Sequence, residues 1–398
     1  MFYRLNGKAQ HYIWGGKTFI PQLLQQQPDG QVYAEWWLGT HPSAASSIEV
    51  NGEQQGLDHY IAAHPTVLGE TSQQQFGNRL PYLLKILDVE KPLSIQLHPT
   101  KTEAEQGFAR ENAQGIDLKD TKRSYKDDNH KPEMMIALSD FWLLHGFKTK
   151  SAILKTLYAR PSLVVLAEKL EQQSLKDFYA DVMQSSQTQL AQWLLPIIQH
   201  NQVAYRNNEL TLDNPDYWLL YALEAMEISV DKLDVGLLSF YLFNIVHLKK
   251  GEGIFQDAGI PHAYLRGQNI ELMASSDNVI RGGLTPKYVD IPELLKIVDC
   301  SEIIPKVIAA VNKENGYYTY QTPSRDFALS NINFSTGYQC QIKADNAEIL
   351  LVMQGEITLH NSEQKLTLAQ GESAFIEAQT LYILSGEQDG YAIIAKLP

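Results

Sequence analysis

Lys91-Pro-Leu-Ser-Ile-Gln-Leu-His-Pro99 reads as a short β-strand running into a proline stop. Side chains alternate faces along a strand. Leu93, Ile95 and Leu97 are therefore expected to face a core, and Ser94, Gln96 and His98 the other side. That second row consists of polar, ligand-type groups, which are costly to bury without partners. A metal ion or a bound polar substrate would supply those partners.

Working outward, the chain has 398 residues, enough for two or three domains. Apolar residues make up 44% and charged residues 20%, an ordinary globular composition. A net charge of −13 argues against nucleic-acid binding, though a local Lys/Arg cluster still admits an anionic substrate. The two cysteines, Cys300 and Cys340, form no CxxC pair, which excludes a thiolate metal site and points to a reducing compartment. The N-terminus lacks an apolar signal region, and no apolar run reaches the ~18 residues of a membrane span. A soluble cytoplasmic protein is expected.

Residues 1–95 are rich in Gly, Pro and aromatics and read as strands and loops. Lys85 interrupts the apolar run Leu83–Leu87, either as a snorkelling edge lysine or as an anion contact. Trp14-Gly-Gly16 and Glu35-Trp-Trp-Leu-Gly39 are aromatic clusters that fit either a core or a site. Thr100-Lys-Thr-Glu103 is a capping box opening a polar helix to about Asn112, which accounts for Glu103. Glu133, at the mouth of the apolar strand Met134–Leu138, is an edge charge or a ligand.

Residues 150–230 contain no glycine, and Leu190, Trp193, Leu194 and Ile197 recur at helical spacing. Ser174 with Asp177 and Asn214-Pro215 read as helix starts, so four or five helices form a structural insert or lid. From Leu237 strands return. The segment 262–287 carries six ionisable side chains, His262, Arg266, Glu271, Asp277, Arg281 and Lys287, too many for a plain surface strand. Residues 288–316 look helical or linking, and the rest reads as a small all-β unit whose lone histidine, His360, implies no metal site.

Gln96, His98, Glu133 and His262 together offer two imidazoles, a carboxylate and an amide oxygen. Such a set suits catalytic zinc and equally non-haem iron. Gly251, Gly259 and His262 partly fit the second motif of cupin β-barrels, with Asp257 and Arg266 departing from it, and Gln96-x-His98 fits the first with Gln for the first His.

More specifically, the chain resembles the type I mannose-6-phosphate isomerase (phosphomannose isomerase) family. Tyr125-x-Asp-x-Asn-His-Lys-Pro-Glu133 is similar to one family signature, and His262-Ala-Tyr through Arg281 to Thr285-Pro-Lys287 to the other. Ser94-Ile-Gln-x-His-Pro99 and Glu35-x-Trp-x-Gly-x-His-Pro42 are also similar to family segments. Gly282 stands where the family usually has Ala, a change expected to be tolerated. The resemblance implies a mainly β fold with a helical insert. A catalytic cupin (jelly-roll) β-barrel would span 1–148 and 235–300, an all-α insert 149–234, and a cupin-like β-barrel without metal 301–398. It implies one zinc ion per chain on Gln96, His98, Glu133 and His262, and Arg281 as the catalytic arginine. Ser94, Lys85 and Lys287 match sugar-phosphate positions, with Trp14 and Asp277 as further substrate contacts. Lys131 and His130 lie where acid/base roles have been proposed.

The implied reaction interconverts D-mannose 6-phosphate and D-fructose 6-phosphate by moving a proton between C2 and C1. Glu271, Lys131, His130 and Asp277 are candidate bases, and Glu271 is favoured because a carboxylate suits the step. The competing readings are an iron-dependent cupin oxygenase and a non-catalytic sugar-phosphate-binding cupin. The expected partner is a small sugar phosphate rather than nucleic acid or membrane, and a monomer is expected.

Overall fold

A computed structural model describes residues 1–314 and 316–398; Asn315, in the expected 288–316 linker, lies outside the described residues. The fold is mainly β. A ten-stranded sheet is organised on the long strand His262–Ala274. Its first half pairs with Phe141–Phe147 and Ile95–Leu97. Its second half pairs with Tyr82–Val89 and Glu133–Ala137. Between the halves sits Gly267 at φ 127°, where a Cβ would lie 2.7 Å from the Asp140 carbonyl oxygen. Only glycine permits both that backbone and that approach, so the strand turns there and folds two layers over one another.

Alternation then sorts the side chains. Leu84, Ile86, Met134, Ile136, Ile270 and Leu272 face outward and pack on Ile349, Leu351, Phe375 and Ile393 of the C-terminal residues. From the other layer Ile95, Leu97, Leu144, Ala263 and Leu265 pack on Phe178, Tyr179, Trp218 and Phe240 of the helical residues. Leu87, Met135, Ala137, Phe141, Leu143 and Tyr264 fill the floor between the layers. Both outer faces are thus covered, which leaves the space between the layers as the place for polar chemistry.

Five α-helices run through the glycine-free stretch among the described residues, from Lys150–Tyr158 to Pro215–Ala225. Two of the starts are those read from sequence. Ser174 accepts the Asp177 N–H, and Asn214 caps a helix with Pro215 in its first turn. Leu190, Trp193, Leu194 and Ile197 form one buried face. The Thr100–Glu103 capping box is complete, with Glu103 accepting the Thr100 N–H at 2.8 Å.

The C-terminal residues form a four-stranded and a nine-stranded sheet. The latter also takes in Phe2–Asn6, paired in register with Ser373–Ile376, and the hairpin Ser47–Gly56. The two ends of the chain therefore share a sheet. Among the described residues no helix is long and apolar enough to cross a membrane.

Candidate active site

The regular strand around His98 is only Ile95–Leu97. Ile95 and Leu97 are buried in the core, whereas Leu93 lies before the alternation begins, packs half-buried on the cluster that holds Leu87 and Tyr264, and also lines a cavity. Ser94 and Gln96 line the same cavity. Gln96 is the cross-strand partner of His262 on one side and of Arg281 on the other. On the facing layer Lys85 is the partner of Trp37 and of Glu271.

His98, Glu133 and His262 converge from three strand ends, their ligand atoms all within 4.8 Å of one another. Nε2 of His98 is 3.3 Å from one Glu133 carboxylate oxygen and Nε2 of His262 is 3.3 Å from the other. The opposite ring nitrogens are committed: His98 Nδ1 donates to the Asn278 carbonyl at 2.8 Å and His262 Nδ1 to the Ile260 carbonyl at 2.9 Å. A carbonyl only accepts, so each Nδ1 carries a proton and each Nε2 is the ring nitrogen left facing Glu133. Both Nε2 atoms and both Glu133 oxygens are buried with no hydrogen bond of good geometry among the described residues. Burial holds the His98 imidazole down to about 4, and hence neutral, against the pull of Glu133. Burial alone would raise the Glu133 carboxyl, but Lys131 and His98 keep it well below the usual range. Two imidazoles and a carboxylate, with outer hydrogen bonds fixing ring orientation, fit a divalent metal.

The two long signatures read from sequence interlock beneath this cluster. The fully buried Asn278 side chain donates to the Asp127 and Asn129 carbonyls and accepts the Lys126 N–H. Asp127 in turn accepts from Ser276 and from the Asp277 backbone. The Asn278 carbonyl that fixes His98 is thus itself fixed.

A cavity of about 700 Å³ opens from Glu133 and Gln96 outward, lined by Glu35, Lys85, Lys131, Glu271, Arg281 and Lys287 among others. Lys85 Nζ lies 3.3 Å from Glu271 and 3.5 Å from Glu35, both carboxylates buried. Burial would lower the Lys85 ammonium, but Glu271, Glu35 and Glu133 hold it well up. Burial raises the Glu271 carboxyl, partly offset by Lys85. Lys131 Nζ is 3.0 Å from Glu133. Arg281 and Lys287, by contrast, make no ion pair among the described residues. Burial lowers both, and Arg281 further lowers Lys287. The compensated cations are buried, whereas Arg281 is half-buried and Lys287 exposed; Ala225, Met226 and Glu227 also line the cavity.

Of the remaining residues singled out from sequence, Trp14 lines the cavity. His130 and Asp277 are not among its lining residues. His130 Nε2 meets Asp326 at 2.9 Å, and Asp277 meets His41 Nε2 at 2.9 Å. Sequence reasoning missed Glu35 as a charged group, although a carboxylate opening an apolar strand is the signal that marked Glu133. It also missed Tyr264, whose hydroxyl donates to Glu271 at 3.3 Å. His145 and Gln256, cross-strand neighbours of His262 and Glu133 and joined to each other at 2.7 Å, were missed as well.

Comparisons with known proteins agree with this fold. Residues 2–150 match the family model "Phosphomannose isomerase type I, catalytic domain". Mannose-6-phosphate isomerase from Escherichia coli K12 is 35% identical over 383 residues, 94% of each chain. The enzyme of that name from Macaca fascicularis is 32% identical over 410 residues, 94% of this chain and 93% of its own. A zinc-bound mannose 6-phosphate isomerase structure superposes with a TM-score of 0.87 at 34% identity, covering 100% of this chain and 99% of its own. A substituted phosphomannose isomerase from Salmonella typhimurium gives 0.88 at 34% identity with the same coverage. The chain belongs to the mannose-6-phosphate isomerase family, and its first 150 residues carry the type I catalytic-domain pattern.

Proposed function

We propose that this chain interconverts D-mannose 6-phosphate and D-fructose 6-phosphate with one zinc ion per chain on Gln96, His98, Glu133 and His262. The observation that carries the reading is one cavity that reaches Glu133, the carboxylate of the buried His98–Glu133–His262 cluster, and is also lined by two cations without ion-pair partners among the described residues, Arg281 and Lys287. Bound there, zinc supplies Lewis-acid polarisation of the sugar oxygens.

The chain's own residues supply the rest. Lys287 and Ser94 take the phosphate, and Trp14 packs at the sugar. Glu271 removes the C2 proton of the opened sugar and returns it to C1. A carboxyl raised by burial suits that exchange, because it binds a proton more readily than a solvated one. Lys85 is committed to Glu271 and Glu35, so it tunes the base rather than holding the phosphate. Arg281, beside Gln96, gives a fixed positive charge to the enediolate. Lys131 orients Glu133 and is the alternative proton carrier. Their positions off the cavity lining put His130 and Asp277 in supporting roles.

The layered strands are read as a catalytic cupin barrel, residues 149–234 as its helical insert, and the C-terminal residues as a second, cupin-like unit. A coupled assay tests the function. Fructose 6-phosphate should form from mannose 6-phosphate, while unphosphorylated mannose yields no fructose. Equal turnover of both sugars, or none of the phosphate, would count against it.

A further inference from the structure

Arg281 and Lys287 reach one cavity because the chain between them makes an unusual turn. Leu284 has φ 52°, a left-handed backbone that a branched apolar residue rarely adopts, and it is buried in the cavity wall. Its neighbour Gly283 has φ 118°. Such a conformation persists only where its surroundings over-determine it.

Beside the core packing of Leu284, its backbone is held by one carboxylate. Asp234, at the end of the helical insert, accepts the Leu284 N–H at 2.8 Å and the Thr285 N–H at 3.1 Å. The oxygen that takes Leu284 also takes the Gly236 N–H at 2.7 Å. The two backbones then press together: a Cβ on Gly236 would stand 2.4 Å from Leu284 N, and one on Gly283 would stand 2.6 Å from Gly236 Cα. Thr285 continues the turn, its hydroxyl accepting the Lys287 N–H at 3.1 Å. A carboxylate is suited to this task because it only accepts, so both oxygens can face N–H groups at once.

We propose that Asp234 is a positioning residue for the anion end of the site. It latches the 283–285 turn in its strained form and so sets where Arg281 and Lys287 stand. The helical insert is thereby tied to substrate affinity through its last residues. This rests on Lys287 holding the substrate phosphate.

The test is Asp234→Asn in the zinc-loaded full chain, with Lys287→Met beside it. The readouts are inhibition by inorganic phosphate, KM for mannose 6-phosphate, zinc content and Tm. An amide keeps one acceptor but turns an N–H₂ toward a backbone donor, so the latch opens without removing bulk. The expected result is a rise in the phosphate inhibition constant and in KM of about tenfold or more, with zinc content retained. A lowered Tm with an unchanged phosphate constant would overturn the proposal, since a purely structural residue would give that. If Lys287→Met shifts the phosphate constant and Asp234→Asn does not, only the Asp234 proposal falls. If neither shifts it, the reading of the anion site falls with it. Should Asp234→Asn fail to fold, Asp234→Ser, which keeps a short acceptor for Gly236, is judged by the same readouts.

Discussion

Lys85 and Glu271 are joined twice. They are cross-strand partners in register, and their charged ends lie 3.3 Å apart. The first relation fixes the second, because neighbours on one sheet face cannot drift apart without slipping the whole strand.

That pairing makes a prediction about pH. Burial raises Glu271 and Lys85 offsets part of the rise, so Lys85→Met lets Glu271 rise further. A base must be ionised to act, so the acid limb of the kcat profile should move to higher pH. Glu271→Gln should lower kcat by about 10²–10⁴-fold with KM little changed. A Glu271→Gln enzyme with near-normal kcat would remove it from the proton transfer.

A second prediction concerns acid stability. Burial pulls His145 from 6.5 to about 4, with Gln256 opposing. The unfolded ring takes a proton below about 6.5, while the folded ring stays neutral until about 4. Across that window the unfolded state binds more protons, so stability falls as pH falls. The whole contribution is on the order of 3 kcal/mol. Replacing both partners, His145→Leu with Gln256→Leu, leaves no orphaned polar group and should flatten the loss. Chemical denaturation of the zinc-loaded proteins at several pH values measures it. Parallel curves for parent and variant would contradict it.

Gly282 allows a third. Its φ is not in the left-handed region, so the backbone accepts alanine, but the new Cβ would lie 2.9 Å from Ile95 Cγ2 and 3.4 Å from the Tyr179 hydroxyl. The first contact is too close. Gly282→Ala should fold, at a cost of about 1–3 kcal/mol from overpacking. An unchanged denaturation midpoint would show that Ile95 gives way freely.

Much of this was legible in single residues. The QxH strand end, Glu133 behind its proline and the helix caps are local signals, and each reports local geometry. The resemblance to a family then supplied roles that spacing alone left open. What stayed hidden was long-range. No periodicity says that Phe2 will pair with Ile376, that His145 will meet Gln256, or that Asp234 will reach Leu284. Glu35 was hidden differently: its aromatic neighbours drew attention from the carboxylate. Leu93, two residues before the regular strand, is only half-buried against the core and also lines the cavity, because the alternation does not extend to it.

The most direct single measurement is a zinc titration of metal-stripped, folded protein, following conversion of mannose 6-phosphate to fructose 6-phosphate. Activity should be absent at the start, rise with added zinc and break at one equivalent per chain. A folded protein that takes up its zinc and forms no fructose 6-phosphate would contradict the proposed function outright.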